Sequence, residues 1–351
     1  MGNMFDVNIA DKKTILRGLR FAIVISLVIS SLIILITMDK SSLKQIITDI
    51  KKEYIFYIII MMLLNWVFAG LRLKTLVETI DGNISLKDSI VIYLSGAFVS
   101  NVTPFATGGG PFQIYFLHKK GVNVGKSSTA IVIQFVLRLF YLGLLTPIFI
   151  IFFNKNISSG VLPNYLFYMA FGFGVLVSIA IIILILVPSI TGKLINLIFK
   201  IRKLKNFLKN NHKAKRWLVK ARSELREFRN SLEVMSRYKG RLCLAGVYTA
   251  LYWSTIFLVI PLILKGMGLE PYVFRSYVMQ TIFYLVLPYT PLPGASGLAE
   301  VGFASIFVSF IPSNFIGLVT FAWRLFTFYL ILLIGGFFAL REISKKRINK
   351  S

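Results

Sequence analysis

Apolar residues fall in long, unbroken runs along this chain. A bilayer span takes roughly 20 mostly apolar residues. Six runs qualify, at about 20–38, 54–71, 129–153, 165–188, 242–264 and 315–340. They are rich in Ile, Leu, Phe and Val and are too long for strands of a soluble sheet. The short alternating segments of a closed barrel do not occur. Backbone groups in hydrocarbon must bond within their own segment, so the runs predict helices. Two further stretches, about 87–118 and 272–311, are apolar but broken by Pro/Gly-rich centres. Each has room for two short half-helices or two tight spans. Either way the chain leaves on the side it entered.

Composition sharpens this. Apolar types make up 56% of the 351 residues and charged types only 15%, against about a quarter in soluble domains. The mean hydropathy is +0.75. Soluble, disordered, collagen-like and disulfide-rich secreted classes are excluded. The lone Cys243 forms no internal disulfide, and His118 and His212 are too far apart in sequence to suggest a metal site. No metal or other cofactor is expected. The first run follows Lys12, Lys13, Arg17 and Arg20 but lacks a small-residue cleavage pattern after it, so it reads as an uncleaved anchor. Lys and Arg flanks set orientation. The 154–164 segment carries only Lys155, while 189–241 and the tail from Arg341 are densely basic. Both termini are expected to be cytoplasmic, in a bacterial-type cytoplasmic membrane. The 39–53 loop, with four lysines and three acids, fits this less well.

The two broken stretches resemble each other. One reads Thr103-Pro104-Phe105-Ala106-Thr107-Gly108-Gly109-Gly110-Pro111-Phe112-Gln113. The other reads Thr290-Pro291-Leu292-Pro293-Gly294-Ala295-Ser296-Gly297-Leu298-Ala299-Glu300. Each precedes a long helix with the pattern Phe-x-x-Arg-Leu-Phe, around Arg138 and around Arg324. Pro104 to Arg138 is 34 positions and Pro291 to Arg324 is 33. Three net crossings per half give the second half opposite polarity. The fold expected is an all-α polytopic integral membrane protein of two inverted repeats, each of three spanning helices and one broken or re-entrant hairpin, with six to ten membrane segments. The first repeat covers 1–153 and the second 154–341, with a cytoplasmic insertion at 190–240 and a basic tail at 342–351. In transporters such repeats place the substrate at discontinuous helices near the midplane. The plainer alternative is that Pro and Gly only kink tightly packed helices.

Arg138 and Arg324 lie about ten residues, or about 15 Å, into apolar runs. At a bilayer centre each costs at least ~2.5–3.5 kcal/mol. Either each braces the fold through carbonyls or a carboxylate, or their planar forks hold a phosphate. Gly108, Gly109 and Gly110 let backbone N–H groups face a ligand, and Pro111 suits a first helical turn. Gly294 to Gly297 repeat the device, with Ser296 offering an N-cap. Glu300 in the first turn reads as a dipole or salt-bridge partner of Arg324, with a protonatable coupling role as the sharper alternative. Gln113 takes the comparable place without charge. Arg72, at the end of the second run, is expected to snorkel to the cytoplasmic interface. Segment 190–240 holds 15 Lys plus Arg against three Glu, with apolar residues at helical spacing. It reads as a basic amphipathic helix pair on the anionic leaflet, attached through Lys203, Lys205, Lys209, Lys213, Lys215 and Arg216.

The 103–113 segment with Lys119-Lys120-Gly121-Val122, and Pro-Gly-Ala-Ser-Gly-Leu-Ala-Glu at 293–300, resemble the two signatures of a flippase-like family. That family is named for the membrane region of lysylphosphatidylglycerol synthase. The resemblance spans about 20–341. Its best-known member type, the multiple peptide resistance factor, joins a flippase domain to a domain that lysinylates phosphatidylglycerol from lysyl-tRNA. Only ten residues follow Arg341, so the resemblance implies the lipid-translocating part. The partners implied are the membrane and an anionic or aminoacylated phospholipid, with no nucleic acid. Thr103, Pro104, Gly108 to Gly110, Gln113, Arg138, Thr290, Pro291, Gly294, Ser296, Gly297, Glu300 and Arg324 are the expected headgroup path. Two alternatives stand: a lysyltransferase acting alone or with a separate soluble subunit and using tRNA, or a scaffold for a lipid- or glycan-modifying complex. A homo-oligomer is compatible with all three.

Overall fold

The computed structural model describes residues 51–157 and 212–348, with scattered helical positions within 24–36 and at 172, 176 and 179. The fourth apolar run and most of the first therefore lie outside the described residues. The rest is helical, with no strand among the described residues. The helices are α1 (Lys52–Thr79), α2 (Leu86–Asn101), α3 (Gly109–Lys119), α4 (Val124–Ile157), α5 (His212–Arg237), α6 (Lys239–Phe257) and α7 (Val259–Gly266). They continue as α8 (Val273–Val286), α9 (Leu298–Phe307), α10 (Ser313–Arg324) and α11 (Leu330–Ile348). A π-turn at Leu325–Tyr329 joins α10 to α11. Among the described residues three stretches are long and apolar enough to cross a membrane: Lys52–Thr79, Lys239–Gly266 and Ser313–Glu342.

The broken stretches form two helical hairpins, α2–α3 and α8–α9. Their arms hold 16, 11, 14 and 10 residues. At 1.5 Å per residue the longest reaches about 24 Å, short of a hydrocarbon core of about 30 Å. A 3₁₀ turn marks each break, at Pro104–Ala106 and Pro293–Ala295. Proline starts each turn because its φ is preset and its missing N–H is not needed there. In both hairpins the returning helix starts five residues after that proline, at Gly109 and at Leu298. The backbone match is thus Pro104 with Pro293, not the Pro291 that residue identity suggests.

Packing between these helices relies on small residues, since lipid gives helices no hydrophobic reason to associate. A side chain at Gly109 would run into Ser100 Oγ and come within 2.6 Å of the Gly96 carbonyl, so α3 lies directly against α2. Gly335 on α11 meets the Leu94 carbonyl of α2 in the same way. One buried cluster surrounds the first hairpin, including Phe98, Phe112, Phe116 and Met235. A second surrounds the other hairpin, where Phe303 stacks on Phe307 at 4.2 Å and on Trp323 at 4.7 Å. Tyr252 and Trp253 of α6 lie between the two clusters, packed with Trp66, Tyr93, Leu142 and Tyr284.

Candidate functional site at the meeting of the hairpins

The two hairpin tips touch. The Phe105 amide donates to the Thr290 carbonyl at 3.2 Å, and a side chain at Gly294 would meet the Asn101 carbonyl at 3.0 Å. Phe105, Ala106 and Ala295 have φ of 54°, 53° and 51°, a left-handed conformation that side chains disfavour. Gly294, at 60°, adopts it without a Cβ penalty. Such backbone persists only where surroundings over-determine it, and it gathers at functional sites. Pro104 to Thr107 and Pro291 remain exposed at the junction.

The candidate residues around the tips divide by what they touch. Thr103 Oγ1 accepts from the Gly108 amide at 3.0 Å and donates to the Val99 carbonyl at 2.9 Å, which ties the first break together. Thr290 Oγ1 donates to the Leu287 carbonyl at 2.8 Å. Gly110 alone of the three glycines has room beside it, with Ile131 3.6 Å from a built Cβ. Gln113 is buried against Gly96, and its Oε1 has no hydrogen-bond partner. It is the fifth residue of α3, whereas Glu300 is the third of α9, so the two are not equivalent. The N-cap of α9 is Gly297, with φ 89°, and not Ser296. Glu300 Oε2 accepts from the Gly297 amide at 2.7 Å, because a carboxylate is the natural partner of free N–H groups at a helix start.

Glu300 and Arg324 form a buried ion pair. Arg324 Nε donates to Glu300 Oε1 at 2.8 Å, and its Nη2 donates to the Gly294 carbonyl at 3.2 Å. The side chains are 0% and 4% exposed. The π-turn after Arg324 brings Phe328 over the guanidinium, 4.5 Å from ring centroid to Cζ. This geometry matches the bracing role weighed for Arg324: it locks the second break onto α10.

Arg138 is placed differently, against the same aromatic pair as Arg72. Arg138 donates to the Tyr284 carbonyl at 3.3 Å and lies 5.4 Å from the Trp253 ring. Arg72 lies 4.9 Å from the Tyr252 ring. The two rings are adjacent, with centroids 5.2 Å apart. Arg72 is 4% exposed, so it does not snorkel to the interface as its place at the end of an apolar run suggests. Its helix turns it inward, onto an aromatic surface that α6 supplies. Neither Arg72 nor Arg138 meets a carboxylate among the described residues, and the Nε of each lacks a hydrogen-bond partner.

Comparison with known proteins agrees with these motifs. The family model described as lysylphosphatidylglycerol synthase TM region matches residues 23–335. The chain belongs to that family. It is 28% identical over 291 residues to a UPF0104 membrane protein of Archaeoglobus fulgidus, covering 82% of this chain and 85% of that one. A UPF0104 membrane protein of Methanocaldococcus jannaschii is 27% identical over 338 residues, 92% of this chain and 96% of the other. No solved structure matches.

In this family member the end of the first hairpin is held by residues that sequence reasoning left without a role. Lys119 pairs with Glu342 at 2.7 Å and Lys120 with Asp88 at 2.7 Å. Their signal was the Lys-Lys pair itself, but its partners are 223 residues away in one case. Lys203, Lys205 and Lys209 lie outside the described residues. Lys213, Lys215 and Arg216 fall on the first turns of α5. The second half of α5 does not lie open on a leaflet. Ser231 and Met235 are buried, and Thr129 Oγ1 of α4 donates to the Phe228 carbonyl at 3.2 Å.

Proposed function

We propose that this membrane protein binds a phospholipid with an anionic or aminoacylated headgroup and carries it between leaflets. The observation that carries this reading is the contact of the two hairpin tips, Phe105 to Thr290. Both hairpins have arms too short to cross, and both break at the same kind of strained turn. Non-helical backbone at membrane depth is tolerated only inside protein or beside a polar chamber. In transporters with inverted repeats, broken helices that meet near the midplane mark the substrate site. A headgroup crossing hydrocarbon needs polar partners on its way. The exposed junction at Pro104 to Thr107, the open side of Gly110 and the acceptor of Gln113 are the groups that would meet it. On this reading Thr103, Gly108, Gly109 and Thr290 shape the path, and Glu300 with Arg324 hold one wall in place.

The test is leaflet transfer. Purified protein is placed in vesicles carrying labelled phosphatidylglycerol or lysylphosphatidylglycerol in one leaflet, without tRNA. Transfer of label to the other leaflet faster than in protein-free vesicles is expected. Rates equal to protein-free vesicles overturn the reading. Transfer of lysine from charged tRNA to the lipid, without leaflet exchange, selects the enzyme instead.

A further inference from the structure

We propose that Arg72 and Arg138 together form a seat for a phosphate group, each held over one ring of the edge-to-face pair Tyr252 and Trp253. The seat rests on the lipid-binding reading and names the group that the site recognises. Each guanidinium lies over one of two adjacent rings, at 4.9 and 5.4 Å. The two rings touch edge to face, which sets both guanidinium groups against one aromatic pair. Two like charges in a low-dielectric interior repel, and each is costly without a counter-charge.

Among the described residues no carboxylate meets either of them. The chain holds 14 acidic residues. Glu300 alone sits within a hairpin core, and Arg324 holds it at 2.8 Å. The other described acids are Glu53 and Glu78 on α1, Asp81 after it, Asp88 on α2, Glu224, Glu227 and Glu233 on α5, Glu270 after α7 and Glu342 on α11. Glu78, six positions from Arg72, pairs with Lys74. In sequence, 12–38 and 158–211 contain no Asp or Glu, while Asp6, Asp11, Asp39 and Asp49 lie outside the described residues. With no described carboxylate at this place, the seat takes its anion from outside the chain. Arginine forks bind phosphate oxygens in a planar, paired geometry, and aromatic rings beneath them leave the N–H edges free. Tyr252 is fixed by its hydroxyl bond to Tyr93 at 3.0 Å, so the ring that receives Arg72 is preorganised.

The experiment measures ligand protection of the purified full chain in detergent, as a rise in melting temperature. The probes are dihexanoyl-phosphatidylglycerol, dihexanoylglycerol (which lacks phosphate) and inorganic phosphate. Protection by the phospholipid and not by dihexanoylglycerol is expected. Arg72→Lys and Arg138→Lys keep the charge and lose the fork, and should each weaken phospholipid binding roughly ten- to hundred-fold. Arg237→Gln, on an exposed pair of α5, should bind as the wild type does. Protection by inorganic phosphate at equal concentration would support the seat while assigning it to free phosphate. If the wild type binds the phospholipid and both Lys variants bind it equally well, the seat is overturned and the lipid reading stands. If the wild type binds neither phospholipid nor phosphate, the seat falls. The vesicle assay then decides the broader reading separately. Should the variants fail to fold, the wild type in phosphatidylglycerol nanodiscs is imaged directly. Phosphate density within hydrogen-bond reach of both guanidinium groups is expected, and its absence there overturns the proposal.

Discussion

Glu300 and Arg324 stabilise the second hairpin only as a pair. Both are buried, so removing one leaves an uncompensated charge, which costs about 3–5 kcal/mol. Replacing both with apolar residues of similar size is often neutral or stabilising. Glu300→Ala should therefore lower stability in detergent by about 3–5 kcal/mol. Glu300→Met with Arg324→Met should recover most of that loss in the same unfolding experiment. A single substitution that changes stability by less than about 1 kcal/mol would show that the pair is not the brace the geometry describes. At this scale the sequence was a partial guide. It named Glu300 as the partner of Arg324, because acid and base were the right residue types near one break. It paired Arg138 with Arg324 by motif and sent Arg72 to the interface. Position along a run says nothing about which way a helical side chain faces. The rings that receive Arg72 and Arg138 lie on α6, 180 and 115 positions away.

At the scale of elements, the start of α4 is held by α5. Glu224 Oε2 accepts from the Gly125 amide at 2.8 Å, alongside Asn123 Oδ1 at 2.8 Å. A side chain at Gly125 would meet the Glu224 carbonyl and Glu227 Cβ, each at 2.7 Å. Gly125→Val should push α5 off α4, at an overpacking cost of about 1–3 kcal/mol. Glu224→Ala should cost less, about 1 kcal/mol or below, because Asn123 still caps the helix. Amide exchange across 212–237 should speed up in the valine variant and change little in the alanine one. Equal exchange in both and in the wild type would mean α5 is not docked through this contact. The hydrophobic period of α5 was legible in the sequence, but its covering was not. An apolar stripe at Leu232 reads the same whether lipid or a neighbouring helix covers it. The hairpins were legible for a firmer reason, since Pro and Gly break any helix. Their true register was hidden because Phe105 and Ala106 take left-handed backbone that a sequence assigns to glycine.

The whole molecule is polarised by charge. Segment 190–240 and the tail after Arg341 concentrate Lys and Arg, while 154–164 carries one base. Positive flanks favour the cytoplasmic side, so 154–164 should face outward and α5 inward. The ion pairs Lys119–Glu342 and Lys120–Asp88 join three helix ends. On that expectation those ends and the Glu224 clamp should face the cytoplasm together. The expected inverted repeat needs an odd number of crossings between 154–164 and α5, which cysteine labelling reports. In a Cys243→Ser background, a cysteine placed at Asn156 should react with an impermeant maleimide in intact cells. One placed at Lys215 should react only after permeabilisation. Cys243 itself is exposed near the basic start of α6, so the wild type should behave as the Lys215 variant does. Labelling of Lys215→Cys in intact cells would reverse the charge rule for this chain. Labelling of both positions in intact cells would mean that no net crossing separates them, against the inverted repeat that the flanks predict.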